Sequence, residues 1–449
     1  VHSTCFIIPH FRKGEYDLGF TISYKGAMKK KKIVTKPFDR QRIPPKQNLF
    51  FMLPIWLICK IVTSRSKLRI NRVNMKGLKP PFLVLGTHHA FMDFIVSPLA
   101  VFPYRANYIS ELEGFENYGE WLYRQAGCLG TRKFVNDIAL IKNIKRVMER
   151  KGILIYYPEA RYANVGTSSE LPGSVGKLVK YLDVPVVTLN MRGNYLQSPI
   201  WNLTMRREVL LDATVTQVFT REQVRNATVE EINEKIGEFL SYDEYEYQYK
   251  TKMAVTYEKR AEGIEKPLYR CPECKAEFET YTEGADIYCK NCGMHRHMTE
   301  YGRMTKPDGT EDSFSHIPDW YEWERRNVID EINSGRYRLD IKVRIESLPN
   351  AVNFIDCGEG RLVHDSNGFS LTFRDYGDTE ERTLAFSPLT MTSVHTEYDY
   401  RGKGQCITLS TLDNTYFIYP LEKGFNATKI QFAAEYLYKL NKIKLSSKS

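Results

Sequence analysis

The sequence predicts a multidomain protein with three structural parts. The first is an α/β domain with a mostly parallel sheet, because short apolar runs alternate with segments of helical periodicity over residues 81–240. The second is a small metal-binding module, because four of the nine cysteines form two close pairs. The third is a β-rich, barrel-like C-terminal domain with a terminal helix, because strand-like runs and turn signals recur from residue 338 to residue 421.

Length, charge and cysteine usage limit the class of protein. A chain of 449 residues has room for two to four domains. A formal net charge of +10 favours acidic partners, which include phosphates, anionic lipid, nucleic acid and an acidic carrier protein, without choosing among them. Paired cysteines favour a metal site in a reducing compartment over a disulfide framework.

The N-terminal region carries a basic segment. The first apolar run is too short for a secretory signal, and we expect Met28 to be the true start, with residues 1–27 as an upstream extension. Residues 1–44 are predicted to form a basic segment compatible with disorder, which includes Lys29–Lys32.

An apolar run extends from Leu49 to Cys59 and has basic residues on both sides. It is shorter than the ~20 residues that cross a bilayer. Two interpretations remain open, namely a helix that lies in the membrane interface and a buried core helix beside a solvated basic tail. The first is favoured, and it predicts a cytoplasmic protein attached peripherally to the inner face of the membrane.

Residues 45–240 supply the elements of the α/β domain. Buried strands are predicted where the sequence is apolar throughout, as in a parallel sheet covered on both faces; these runs are Phe82–Gly86, Ile153–Tyr157 and Val184–Met191. Helical spacing predicts helices at Ile138–Arg150 and Lys177–Leu182. Residues 241–265 are predicted to form a helical linker, since they continue a highly charged helical pattern.

Two histidines and an acid lie close together in Thr87–Asp93. This stretch is compatible with a working histidine–carboxylate pair, a metal site or an ordinary strand-to-helix junction. On one helix, a five-residue step turns about 500°, so the side chains of His88 and Asp93 would point about 140° apart. They meet if His88 lies in the turn that leaves a strand and Asp93 lies in the first turn of the next helix. A carboxylate then orients the imidazole, whose other nitrogen accepts a proton from an alcohol.

Four segments of residues 45–240 resemble, in order, the motifs of the glycerolphosphate acyltransferase family, especially the 1-acylglycerol-3-phosphate acyltransferases. The segments are His88-x4-Asp93, Gly127 to Arg132-Lys133, Tyr157-Pro158-Glu159-Ala160-Arg161 and Val184–Val187. Some positions depart from the family pattern. Thr87 stands where the family has Asn, and Ala160 stands where it has Gly.

The resemblance implies an enzyme that moves a fatty acyl group from a thioester donor to the hydroxyl of a lysophosphatidate-like acceptor in phospholipid synthesis. The donor would be acyl-CoA or acyl-carrier protein, and catalysis would need no cofactor. His88 would be the general base and Asp93 its orienting partner. The substrate-binding candidates are Arg132, Lys133, Pro158, Glu159 and Arg161, of which the basic residues suit a phosphate. The alternative is a non-catalytic lipid-binding scaffold that keeps the same fold.

Two cysteine pairs, Cys271-Pro-Glu-Cys274 and Cys289-Lys-Asn-Cys292, are separated by fourteen residues. Four thiolates at this spacing predict a structural zinc site with no open position, although iron also fits such a site in vitro. Residues 266–300 resemble a zinc ribbon or a rubredoxin-like knuckle. Zinc ribbons bind nucleic acid or protein, or brace neighbouring domains. Bracing is favoured, because Lys275–Tyr288 is acidic, and no nucleic-acid partner is expected.

The remaining residues form a connector and a β-rich domain. Residues 301–335 are predicted to be an irregular connector rich in Tyr and Trp. Residues 336–449 contain many short strands and a predicted helix at Thr428–Leu440. This pattern resembles a pleckstrin-homology-like barrel, which implies a role in protein contact or in orienting the protein on a membrane.

Overall fold

The computed structural model describes residues 33–43, 45–206 and 208–446. The predictions that Met28 is the start and that residues 1–27 are an upstream extension lie outside the described residues. The predicted basic segment of residues 1–44 lies mostly outside them.

The first part of the structure is a seven-stranded mixed sheet with helices on both faces. Its strand order is β1-β7-β6-β2-β5-β3-β4, and all its pairings are parallel except that of β6 with β7. The mostly parallel sheet predicted from the sequence is therefore confirmed. Its strands are β1 (Arg69–Val73), β2 (Phe82–Gly86), β3 (Asn107–Glu111), β4 (Cys128–Thr131), β5 (Ile153–Tyr156), β6 (Val186–Arg192) and β7 (Asp212–Phe219).

Ten helices accompany this sheet in the described residues. They are α1 (Leu49–Ser64), α2 (Met92–Ala100), α3 (Leu112–Tyr118), α4 (Glu120–Gln125), α5 (Ile138–Glu149), α6 (Ser174–Leu182), α7 (Asn194–Gln197), α8 (Arg221–Asn226), α9 (Val229–Leu240) and α10 (Glu244–Thr251). The predicted linker, residues 241–265, contains only the helix α10, and the remainder forms turns and irregular backbone.

The central strand β2 explains why this sheet has two hydrophobic faces. All five of its residues are buried. Leu83 and Leu85 contribute to the core that contains Ile144 of α5 and Val179 of α6, whereas Phe82 and Val84 contribute to a second core. Alternate side chains of a strand point to opposite faces, so an apolar run is needed where helices cover both.

The cysteine module continues beyond the predicted boundary at residue 300. Its antiparallel sheet, called the ribbon below, has the order β12-β11-β10-β9-β8. The strands are β8 (Thr280–Glu283), β9 (Asp286–Cys289), β10 (His295–Met298), β11 (Arg303–Thr305) and β12 (Glu311–His316), and helix α11 (Ile317–Asn333) follows.

The prediction that residues 301–335 are irregular is wrong, because they form two ribbon strands and the whole of α11. The helix buries Ile317, Trp320, Tyr321, Glu324 and Val328. These residues recur at intervals of three and four, which places them on one helical face. Pro318 is tolerated because it lies at the first turn, where its missing N–H is not needed.

The C-terminal part is a curled, seven-stranded antiparallel sheet, called the half-barrel below. Its order is β16-β15-β14-β13-β19-β18-β17, which confirms the predicted β-rich, barrel-like part. The elements are β13 (Leu339–Ser347), β14 (Ile355–Asp365), β15 (Gly368–Phe373), β16 (Arg382–Phe386), β17 (His395–Glu397), β18 (Cys406–Ser410), β19 (Thr415–Pro420) and the terminal helix α12 (Ala427–Ser446). Helix α12 packs beside α11, where the rings of Tyr321 and Phe432 lie 4.6 Å apart.

Candidate active site

His88 and Asp93 lie in contact at the end of β2, in the strand-to-helix arrangement that would allow them to meet. His88 is in the turn that leaves the strand, and Asp93 is in the first turn of α2. His88 Nδ1 lies 3.1 Å from Asp93 Oδ2, and both residues are buried. The turn between strand and helix brings together two side chains that a continuous helix would hold apart.

Asp93 is held in place by several donors. The backbone N–H groups of His89 and Ala90 donate to Oδ2 at 2.6 and 3.1 Å. The side-chain amide of Asn194 donates to Oδ1 at 2.7 Å. These bonds fix the Asp93 carboxylate in a position from which it can orient the His88 ring and stabilise its protonated form.

Aromatic rings fix the plane of the His88 imidazole. The ring stacks on Tyr157 with centroids 4.6 Å apart, and Tyr162 packs at 4.6 Å from it. Among the described residues, none forms a hydrogen bond with Nε2, whereas Nδ1 faces Asp93. This arrangement leaves one nitrogen available as a base.

Glu159 supports the backbone beneath His88. Its Oε1 accepts from the His88 backbone N–H at 3.2 Å, and its Oε2 accepts from the Ser169 N–H and the Tyr242 hydroxyl at 2.9 and 3.1 Å. Burial raises the pKa of Glu159 to about 7, although these bonds act in the opposite direction. Pro158 precedes Glu159 in the same buried turn.

Ala160 completes the turn in a left-handed conformation, with φ of 57°. This conformation favours glycine, since a Cβ atom is strained there. The backbone geometry at this position therefore favours Gly, which is the residue that the acyltransferase motif has there.

The guanidinium of Arg132 is engaged by the half-barrel. Nη1 donates to the carbonyl of Leu348 and the hydroxyl of Thr415, both at 2.8 Å. Nη2 donates to the carbonyls of Pro349 and Asp413 at 2.8 and 3.0 Å. Burial lowers the pKa of Arg132 to about 10. The Nη atoms of Arg132 thus join the first domain to the half-barrel.

The other two predicted phosphate ligands also have partners. Lys133 Nζ lies 2.5 Å from Oε1 of Glu111, and Arg161 Nη2 donates to Oε1 of Glu435 at 2.9 Å. Glu435 lies on α12 and also pairs with Arg325 of α11 at 2.6 Å. All three basic side chains predicted to bind phosphate therefore have partners within the molecule, and their substrate-binding role stays a prediction.

Several residues of the site were not expected from the sequence. Asn194 and Tyr242 hold Asp93 and Glu159, while Glu111 and Glu435 pair with the basic candidates. Asn194 carries a local signal, because it follows Gly193 directly after β6. The others come from distant segments and carry no such signal.

The two residues beside His88 have structural surroundings. Thr87 Oγ1 accepts from the Met191 backbone N–H at 3.1 Å, so this hydroxyl ties the turn to β6. His89 is fully buried and stacks on Tyr242 with centroids 3.8 Å apart. Burial lowers the pKa of His89 to about 3, so its imidazole is neutral near neutral pH.

The four cysteines of the ribbon cluster as predicted. The Sγ atoms of Cys271 and Cys292 are 3.7 Å apart, and those of Cys274 and Cys289 are 3.8 Å apart. A zinc ion at about 2.3 Å from four tetrahedral sulfurs separates them by about 3.8 Å. The four thiolates therefore fit a structural zinc ion. His295 and His297 both contact Asp286 instead, at 2.9 and 3.0 Å.

We expect purified protein to contain about one equivalent of zinc. The double substitution Cys289→Ser and Cys292→Ser should abolish zinc binding and lower the thermal midpoint, because metal binding contributes to folding. Elemental analysis and thermal unfolding measure both effects. The matched control is Cys357→Ser, which lies outside the cluster and should keep the metal. A wild-type protein that contains no metal, yet has the same thermal midpoint as the zinc-bound protein, would contradict the assignment.

Comparison with known proteins finds a partial likeness among solved structures. No protein-family model and no curated protein matches the chain. Among solved structures, the crystal structure of the 1-acyl-sn-glycerophosphate (LPA) acyltransferase PlsC from Thermotoga maritima resembles part of the chain. The TM-score is 0.37 and the identity 15%, and the match covers 42% of this chain and 77% of that chain. The resemblance concerns fold over part of the chain, and the site geometry described above does not depend on it.

Proposed function

We propose that this protein transfers a fatty acyl group from a thioester to the hydroxyl of a lysophosphatidate-like acceptor. The observation that carries the proposal is the buried His88–Asp93 pair, in which Asp93 is fixed by three further donors and His88 Nε2 stays available. A histidine oriented in this way suits general-base catalysis at neutral pH.

The proposed chemistry requires no enzyme nucleophile. Nε2 of His88 takes the proton of the acceptor hydroxyl as its oxygen attacks the thioester carbonyl, and Asp93 stabilises the imidazolium. Collapse of the tetrahedral intermediate breaks the C–S bond, and the imidazolium returns its proton to the leaving thiolate. Acyl-CoA and acyl-carrier protein both supply such a thioester.

A non-catalytic lipid-binding scaffold is the second candidate. It is favoured by the closure of the site, since the side chain of His88 is only 6% exposed and the three predicted phosphate ligands are already paired. In this case the histidine–carboxylate pair would be a structural element of the turn.

One assay distinguishes the two candidates. Purified protein on vesicles is offered labelled acyl-CoA or acyl-carrier protein with a panel of lysophospholipids, including lysophosphatidate. We expect the label to appear in the diacyl product of at least one pair. If no donor–acceptor pair gives a labelled diacyl product and the protein still binds lysophospholipid, the scaffold is favoured.

We also propose that α1 attaches the protein peripherally to an anionic membrane. None of the described helices has the length and apolar character to span a bilayer. The apolar side chains on α1 that lie exposed to water are Leu49, Phe50, Leu53, Leu57, Ile58 and Ile61. Trp121 extends this surface, since it is 64% exposed and packs on Phe51 with centroids 5.4 Å apart. Lys60, Arg65 and Lys67 add positive charge nearby, which suits anionic headgroups.

Replacing Leu53 and Leu57 with glutamate should weaken binding to anionic vesicles by more than about tenfold. Burying one leucine contributes roughly 1.5–3 kcal/mol, and the new charges oppose insertion. Vesicle co-sedimentation measures the effect. Ile443→Glu is the matched control, since Ile443 is 65% exposed on a different helix. Equal partitioning of the α1 variant and the wild type would contradict the membrane role.

For the half-barrel, we propose a pleckstrin-homology-like module that orients the first domain. Its seven antiparallel strands followed by a long helix support this classification. Its hydrogen bonds to Arg132 and its ion pair with Arg161 support the orienting role.

A further inference from the structure

A second cluster of ligand-type side chains lies between the mixed sheet and the half-barrel. Glu111 ends β3, Glu113 lies in the first turn of α3, and His395 begins β17. One ligand atom from each side chain lies within 4.8 Å of the other two. Side chains from two distant parts of the chain thus converge outside the four-cysteine site.

His395 has unusual surroundings for a buried imidazole. It is 3% exposed, and neither ring nitrogen forms a hydrogen bond with a described residue. Nε2 lies 3.1 Å from a Glu397 carboxylate oxygen but not in hydrogen-bonding geometry. An unpaired buried polar group is costly, so this ring is suited to a ligand that the described protein groups do not supply.

The acidic side chains around the cluster, those of Glu111, Glu113 and Glu397, outnumber the one ammonium, that of Lys133, which lies 2.5 Å from Oε1 of Glu111. Burial raises the pKa of Glu113 to about 8, and a bound cation would replace its proton. Within the described part of the chain, Glu113 has no ion-pair partner. The side chain of Glu111 is 27% exposed, so solvent and small ions have access to the cluster.

We propose that Glu111, Glu113 and His395 bind a divalent transition-metal cation. Imidazole and carboxylate ligands suit Mn²⁺, Fe²⁺ and Zn²⁺, in contrast to the soft thiolates of the ribbon, which select zinc. Three protein ligands leave coordination positions for water or for an oxygen of a bound molecule.

This cation would add positive charge to the pocket beside Lys133. It would offer a coordination position to a phosphate oxygen of the acceptor. The guanidinium groups of Arg132 and Arg161 are already bonded to other groups of the protein. This role toward phosphate rests on the proposed acyl transfer, whereas the cation site itself does not.

The test uses the full chain with zinc already bound to the cysteines. Mn²⁺ is titrated without substrate and followed by electron paramagnetic resonance. We expect one bound Mn²⁺ per chain, with hyperfine coupling to an imidazole nitrogen. His395→Ala and Glu113→Gln should each weaken binding by at least about tenfold. Glu380→Gln, an exposed carboxylate of the same half-barrel, should bind as the wild type does.

The nitrogen coupling in the wild type keeps the test decisive if a substitution prevents folding. Absence of bound Mn²⁺ at millimolar concentration, or bound Mn²⁺ without nitrogen coupling, would overturn the proposal. Because no acyl donor or acceptor is present, this result is separate from the outcome of the acyl-transfer assay.

Discussion

His88→Ala should lower the rate of acyl transfer by about 10²- to 10⁴-fold, the contribution expected of a general base. The reason is that Asp93 orients the His88 imidazole through Nδ1 and Nε2 is left to accept the proton. Steady-state assay with the best donor and acceptor pair measures the loss. Asp93→Asn should also reduce the rate, because the anion that orients the ring and stabilises its protonated form is removed.

The matched control for this prediction is His297→Ala. His297 also pairs with a carboxylate, at 3.0 Å from Asp286, but it lies on the ribbon. We expect this variant to keep the wild-type rate. Full activity of His88→Ala, with an unchanged thermal midpoint, would end the proposal that this histidine is the base.

Arg132→Met should destabilise the docking of the half-barrel by about 3–5 kcal/mol, the cost of breaking a buried charged contact. The substitution keeps most of the aliphatic stem but leaves three backbone carbonyls and the Thr415 hydroxyl without their donor. Chemical denaturation should show a lower midpoint, and limited proteolysis should cut between the first sheet and the half-barrel. Arg132→Lys should not restore stability, since an ammonium lacks the planar fork of donors.

Arg344→Met is the control for Arg132. Arg344 is 49% exposed and pairs with Asp356 on the surface of the half-barrel, so its loss should change stability by less than about 1 kcal/mol. An unchanged denaturation midpoint for Arg132→Met together with a raised KM for the acceptor would show that Arg132 binds substrate instead.

Local patterns in the sequence predict those features that depend on neighbouring residues. The apolar run of β2, the spacing of His88 and Asp93, and the cysteine pairs each determine a contact within a short segment or a known knuckle geometry. For this reason the mostly parallel sheet, the approach of His88 to Asp93 and the cysteine cluster were predictable. The catalytic role of the pair is not tested by geometry and stays a prediction.

The partners of the basic residues were not predictable in this way. Arg132 donates to Leu348 and Thr415, which follow it by 216 and 283 residues. No periodicity or motif links positions so far apart. The resemblance to the acyltransferase motifs rests on residues 45–240 and gives no information about the half-barrel. Helix α11 differs, because its buried residues recur at helical spacing and this signal is present in the sequence.

The pairing of Arg161 with Glu435 has a consequence for synthesis of the chain. The two residues are 274 positions apart, so at ~5–20 residues per second Glu435 is added roughly 14–55 s after Arg161. The strands of the first sheet are complete well before then, yet its buried guanidinium groups lack their partners until the half-barrel has been made. We therefore expect the nascent first domain to remain dependent on chaperones, or only loosely ordered around Arg161, until translation has passed α12.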